Sequence, residues 1–257
     1  MKKNNHQNLT EDLVAEHQPE SIRQRLQQGP KSQHISDMVF GGIDGCVTTF
    51  AVVSGTIGGG LPPSVAVILG FANLFADGFS MAISSYEANT AQQEFIDSLS
   101  VIEEQHINQI PEGEREEIRQ IFHKKGFKGA MLEAIVKTIS QNKELWIDTM
   151  LTEEYGLHKI GINPWKSAST IFIAFIVVGM MPLLPLLFSS LTGQQQFILS
   201  AYLAATMFFL IGMLKSLILH KPLLLSGLRT LLTGGAAAGL AFVVGYVLRE
   251  GFAIAGV

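Results

Sequence analysis

The sequence predicts an all-α integral membrane protein with five transmembrane helices and a cytoplasmic helical insert. Three observations predict it. The 257 residues are 47% hydrophobic and only 16% charged, which is too apolar for a disordered chain. The apolar residues gather into five stretches near 37–58, 63–86, 168–190, 196–219 and 226–249, each long enough to cross about 30 Å of hydrocarbon as a helix. Lysines and arginines fall on one side of those stretches, Arg249 alone excepted. The net charge of −4 leaves no global basic surface for a nucleic acid. The single cysteine, Cys46, excludes an intrachain disulfide and a cysteine-built zinc site.

Residues 1–34 form a polar N-terminal segment. Glu11, Asp12, Glu16 and Glu20 interrupt it, so no apolar core of a cleavable signal is visible. The region 35–86 holds the first two spans. The second has no helix breaker at its polar end and is expected to run on to about Asn108, where Pro111 stops it. Region 87–166 is too long and too polar for a simple loop. Its breakers divide it into helices near 112–125, 129–142 and 143–157, the last closed by Gly161 and Pro164. Region 167–257 holds the last three spans, and Pro182 and Pro185 are expected to kink the first of these.

Positive charge sets the orientation. Lys2, Lys3, Arg23, Arg25 and Lys31 precede the first span, and Arg115 to Lys166 populate the insert, Lys159 among them. Lys215, Lys221 and Arg229 flank the link between the fourth and fifth spans. The opposite side carries only Arg249. The N-terminus and insert are therefore placed in the cytoplasm and the C-terminus on the other side.

Two groups of residues carry chemistry. Ionisable side chains inside a span are costly, so each is a functional candidate. Asp44 lies about eight residues into the first span and Asp77 about nine from the polar end of the second. At 1.5 Å per residue both sit about 12–14 Å deep. Asn73, Asp77 and Met81 are spaced i, i+4, i+8 and form one stripe. An amide, a carboxylate and a thioether together suit Fe²⁺, with Mn²⁺ as an alternative. A polar clasp between helices is the competing reading for both aspartates. Gly41, Gly42, Gly45, Gly55, Gly70 and Gly78 point to close helix packing. Thr48 and Thr49 are expected to bond backbone.

The insert is the second group. Between Glu87 and Glu154 it has fourteen acidic residues against seven basic ones. Glu103 and His106 are i, i+3, as are Glu114 and Glu117, and Met150 and Glu154 are i, i+4, so each pair shares a helix face. If those faces converge, like charges require a divalent cation between them. If they do not, they are ordinary solvated surfaces. Glu104, Glu112, Glu116 and Glu153 point off these stripes. The Glu103-x-x-His106 spacing is half of the repeated motif that di-iron carboxylate proteins use. No phosphate-binding glycine motif supports ATP-driven pumping. His34, His158 and His220 are isolated near the membrane surface.

The run Asp44-Gly45-Cys46-Val47-Thr48-Thr49-Phe50 and the run Gly70-Phe71-Ala72-Asn73-Leu74-Phe75-Ala76-Asp77-Gly78-Phe79-Ser80-Met81 resemble the first two spans of vacuolar iron transporters. The resemblance extends over about 20–250. It implies a homodimer in the lipid bilayer that exchanges cytoplasmic Fe²⁺, sometimes Mn²⁺, for protons, in iron detoxification or storage. No prosthetic group is implied; the metal is cargo. Asp44 and Met81 match transport-site residues, and Glu103, Glu114, Glu117, Met150 and Glu154 match the metal-gathering set of the cytoplasmic helices. Asn73 stands where some members have a glutamate, with a carboxylate one turn later at Asp77. His106 likewise stands at a glutamate position. The implied membrane is the inner membrane of a prokaryote or the vacuolar membrane of a eukaryote. Two other classes remain open: a membrane-bound di-iron ferroxidase built on Glu103 and His106, and a metal sensor without flux.

Overall fold

The computed structural model describes residues 14–15, 17–28, 32–158, 161, 163–219 and 221–252. Lys2, Lys3, Glu11, Asp12, Glu16, Lys31, Lys159 and His220 lie outside them. The described residues form helices and no strand. In chain order these are α1 (Pro19–Gln28), α2 (Ser32–Gly58), α3 (Pro63–Gln109), α4 (Pro111–Lys124), α5 (Gly129–Ser140), α6 (Lys143–Glu153), α7 (Pro164–Gly179), a 3₁₀ segment (Met181–Leu187), α8 (Gly193–Leu219) and α9 (Leu223–Phe252). Five of them are long and apolar enough to cross a membrane: α2, α3, α7 with its 3₁₀ extension, α8 and α9. The chain divides into two compact units, Met1–Met81 with Ser169–Val257, and Ala82–Ala168.

The first unit is packed through small residues. A β-carbon on Gly41 would sit 2.4 Å from the Ile171 carbonyl oxygen, and one on Gly45 would sit 2.4 Å from that of Phe175. Helices α2 and α7 therefore touch backbone to backbone. The far end of α2 does the same with α9, where a β-carbon on Gly58 would lie 2.3 Å from the Phe242 oxygen. Only glycine permits such approach, and close approach supplies the dispersion contacts that hold helices together where lipid removes the hydrophobic drive. Cys46, Phe50, Leu74, Phe175, Leu183 and Phe208 fill the centre of this unit. Apolar side chains also face outward, among them Ile68, Phe75 and Phe79 on α3. That is the arrangement a lipid environment requires.

Pro182 and Pro185 do more than kink the third span. The α-helix ends at Gly179 and the chain continues as 3₁₀ helix. Neither proline has an N–H to donate, so the α ladder cannot be maintained through them. Carbonyls freed there are taken up by α8: the Ser200 hydroxyl donates to the Pro182 oxygen at 2.6 Å, and the Gln196 amide donates to the Phe188 oxygen at 3.0 Å.

The second unit has a conventional water-soluble core. Ile107, Ile118, Leu132, Val136, Ile139, Trp146 and Met150 cluster together, and the Arg115 guanidinium lies 5.7 Å from the centre of the Trp146 ring. Pro111 opens α4, and the Asn142 side chain caps α6 by accepting from the Leu145 N–H at 3.1 Å. Helix α6 is shorter than expected. It ends at Glu153, and Gly156 turns the chain with φ of +68°, a conformation glycine tolerates. The residues expected to close it, Gly161 and Pro164, lie well beyond that turn.

Candidate metal site and intramembrane carboxylates

In the second unit, Glu103 and His106 stand one turn apart near the end of α3, and Glu114 stands in the first turns of α4. The tight link between these helices folds them back on each other, since the Ile110 N–H donates to the His106 oxygen and the Gly113 N–H to the Ile110 oxygen. Three ligand-type atoms, one from each of Glu103, His106 and Glu114, lie within 4.8 Å of one another. His106 Nδ1 is 3.5 Å from Glu114 Oε1 and 3.8 Å from Glu103 Oε1.

Burial makes this cluster unusual. Glu103 and Glu114 are each 1% exposed, and carboxylates are almost never so buried without a cation partner. Glu103 Oε1 accepts from the Tyr155 hydroxyl at 2.9 Å. Oε2 of Glu103 and Oε2 of Glu114 are buried with no hydrogen-bond partner. Burial pushes the Glu114 carboxyl up to about 7, and the negative charges of Glu117, Glu103 and Glu154 add to this against a smaller opposing effect of His106. Glu154 is raised for the same reasons, burial first and then Glu103 and Glu117. The Tyr155 phenol is raised well above its usual range by burial and by its bond to Glu103. The group therefore holds more negative charge than its own protein surroundings neutralise.

Four other insert glutamates behave differently. Glu104 is bound by Lys143 at 2.6 Å, Glu112 by Arg115, Glu116 by Arg119 and Glu153 by Lys125. These four are the glutamates whose spacing points off the stripes. Among the described residues no lysine or arginine pairs with Glu103, Glu114, Glu117 or Glu154. Glu117 and Glu154 are exposed and sit within electrostatic reach of Glu114. Met150 is fully buried in the apolar core of the insert. Tyr155 is the residue sequence reasoning missed. Its place directly after Glu154 is the only signal, and an aromatic there reads equally well as packing.

In the first unit, Asp44 on α2 is half-buried and feels the charge of Asp77 on α3. The two aspartates lie within electrostatic reach of each other. Asn73, Asp77 and Met81 are all half-buried along α3, and Met81 packs against the apolar centre of the unit. The Thr48 hydroxyl donates to the Asp44 carbonyl at 2.8 Å. Thr49 departs from expectation: its hydroxyl is buried with no partner.

A family model described as the VIT family matches residues 35–246. The chain belongs to this family. Relatives of this VIT-family chain include the vacuolar iron transporter of Plasmodium berghei (strain Anka). That protein is 30% identical over 225 residues, which cover 84% of this chain and 82% of the relative. The vacuolar iron transporter of Toxoplasma gondii (strain ATCC 50861 / VEG) is 29% identical over 228 residues, covering 85% and 75%. Vacuolar iron transporter 1 of Arabidopsis thaliana is 26% identical over 217 residues, covering 84% and 86%. The matched region of the VIT-family chain contains both carboxylate groups described above.

Proposed function

We infer that this chain carries Fe²⁺ across a membrane as a carrier and not as an enzyme, with Mn²⁺ as a second cargo, and that it works as a homodimer exchanging the metal for protons. The observation that carries the reading is the pair of deeply buried glutamates, Glu103 and Glu114, which meet His106 with two carboxylate oxygens unpartnered. A dication placed there relieves the repulsion and satisfies those oxygens. Its carboxylate-plus-imidazole donor set suits a borderline ion. Relatives named as vacuolar iron transporters support iron as that ion.

In this mechanism the insert gathers cytoplasmic metal on Glu103, His106, Glu114, Glu117 and Glu154; Met150, buried in the apolar core, would have to leave its packing to add a thioether. Concentrating the cation locally raises its capture rate. Asp44, Asp77, Asn73 and Met81 form the path through the membrane. A carboxylate that takes either a metal or a proton couples the two: protonation releases the cation and deprotonation readmits it. The N-terminus and insert face the cytoplasm in this reading, and the metal leaves it, for detoxification or storage. The test is Fe²⁺ flux into sealed proteoliposomes under reducing conditions, with and without an imposed pH gradient. Flux that responds to the gradient and vanishes in Asp44→Ala is expected. Equal flux in Asp44→Ala and the parent chain sinks the mechanism, and oxygen consumption without flux would make the insert a ferroxidase instead.

A further inference from the structure

The link between α8 and α9 forms a second charged site, of opposite sign, within the membrane unit. A cavity of about 310 Å³ opens there, lined by Lys215 from the end of α8, Lys221 from the link, and Leu225, Ser226, Arg229 and Thr230 from the first turns of α9. Three cations thus converge on one pocket. No carboxylate among the described residues forms an ion pair with any of them. A single lysine at a helix end extends into the headgroup layer and needs no partner. Three cations around one concavity repel each other, and that repulsion is relieved when an anion sits between them.

The backbone adds to this field. Helix α9 is 30 residues long and its first turns line the pocket, so the positive end of its dipole lies near the three cations. Pro222 precedes it and the Ser226 N–H is used within the turn, bonding the Pro222 oxygen at 3.1 Å. The helices that form the pocket wall are tightly packed. At Gly212 a β-carbon would lie 2.8 Å from the Gly227 α-carbon, so α8 and α9 are locked together directly beneath the cavity. The surface beside it is apolar: Leu224, Leu228 and Leu232, spaced four residues apart, are 71%, 47% and 63% exposed.

We propose that Lys215, Lys221 and Arg229 bind a phosphate group at this pocket, and that the phosphate is the headgroup of an anionic phospholipid whose acyl chain lies along Leu224, Leu228 and Leu232. Basic pockets between transmembrane helices recognise such headgroups by charge, while the leucine stripe offers the chain a continuous apolar bed. A soluble phosphate has the same headgroup chemistry but makes no use of the stripe.

The experiment uses the full chain in detergent micelles doped with phosphatidylglycerol, with phosphatidylcholine, or with inorganic phosphate alone, read by retained lipid in native mass spectrometry and by melting temperature. Phosphatidylglycerol is expected to be retained and to raise the melting temperature, and phosphatidylcholine is not. Each of Lys215→Gln, Lys221→Gln and Arg229→Gln should weaken retention about fivefold, and the triple variant on the order of a hundredfold. Lys221→Arg should restore binding, and Arg249→Gln at the other end of α9 should leave it unchanged. Stabilisation by inorganic phosphate equal to that by phosphatidylglycerol would keep the phosphate site and reassign its source to solution. Equal retention of the two lipids, or retention unaffected by the three single glutamine variants, overturns the proposal. The single variants decide the matter even where the triple one does not fold.

Discussion

The two compact units place carboxylates in opposite ways. The membrane unit has little to gain from burying apolar surface, because lipid is as apolar as its own side chains. It is held by backbone contact at Gly41, Gly45 and Gly58, and its two aspartates sit half-buried between helices. The insert lives by the hydrophobic effect, with a core of Ile118, Leu132, Val136, Trp146 and Met150. That core supports two fully buried glutamates at its edge, a cost of several kcal/mol in the absence of a cation. The contrast teaches that the insert's site is destabilising when empty, whereas the membrane site depends on how closely its helices fit.

Breaking the fit should have the largest effect. Gly45→Val places new carbons against the Phe175 carbonyl, and a loss of more than about 3 kcal/mol is expected. The variant should fail to purify as a monodisperse membrane protein; normal yield and melting temperature would show that α2 and α7 are not held this way. Next comes the insert core. Met150→Ala should cost about 3 kcal/mol through the cavity it leaves, read as faster hydrogen exchange across α4 to α6 in the full chain. Met150→Leu should restore that stability, and whether it also restores metal affinity measures the thioether's share in binding separately from its packing.

The pH dependence sharpens the comparison further. Glu114 titrates near 7 in the folded protein against an ordinary 4.5, so the folded state binds the extra proton. The empty insert is therefore most stable below the ordinary value. It loses stability as pH rises from about 4.5 to about 7 and changes little beyond, by on the order of 3 kcal/mol in total. Divalent metal binds the deprotonated form, so affinity should instead rise over that same window, with proton release that calorimetry in buffers of different ionisation enthalpy can count. Glu114→Gln should flatten the stability profile, stabilise the empty insert and weaken metal binding; an unchanged profile would place the titration elsewhere. The smallest effect expected is at Tyr155. Tyr155→Phe removes the hydrogen bond to Glu103 and should cost about 1 kcal/mol, with a modest loss of metal affinity by titration. A loss as large as that of Glu103→Gln would make the phenol a ligand.

Much of the fold was legible in order. Apolar length located all five spans, and the helix starts expected near 112, 129 and 143 fall at Pro111, Gly129 and Lys143. The run of α3 through the charged residues Glu87, Glu94 and Asp97 follows from the absence of any breaker before Pro111. Proline chemistry was read too weakly at Pro182 and Pro185, because a span can be kinked or converted to 3₁₀ helix by the same missing N–H groups. The helix partners at Ser200 and Gln196 that make the conversion affordable are distant in sequence.

For the sites, sequence alone determined which side chains share a helix face, since that follows from 3.6 residues per turn. It could thus set Glu103, Glu114, Glu117 and Glu154, which share stripes, apart from Glu104, Glu112, Glu116 and Glu153, which point off them. Only the tertiary structure decided that the faces of α3 and α4 converge, that Lys125, Lys143, Arg115 and Arg119 neutralise the second group and leave the first alone, and that Tyr155 reaches Glu103. The physical reason is that burial and pairing are properties of what comes to lie opposite a residue. Periodicity within one helix specifies its own face and is silent about the face that meets it.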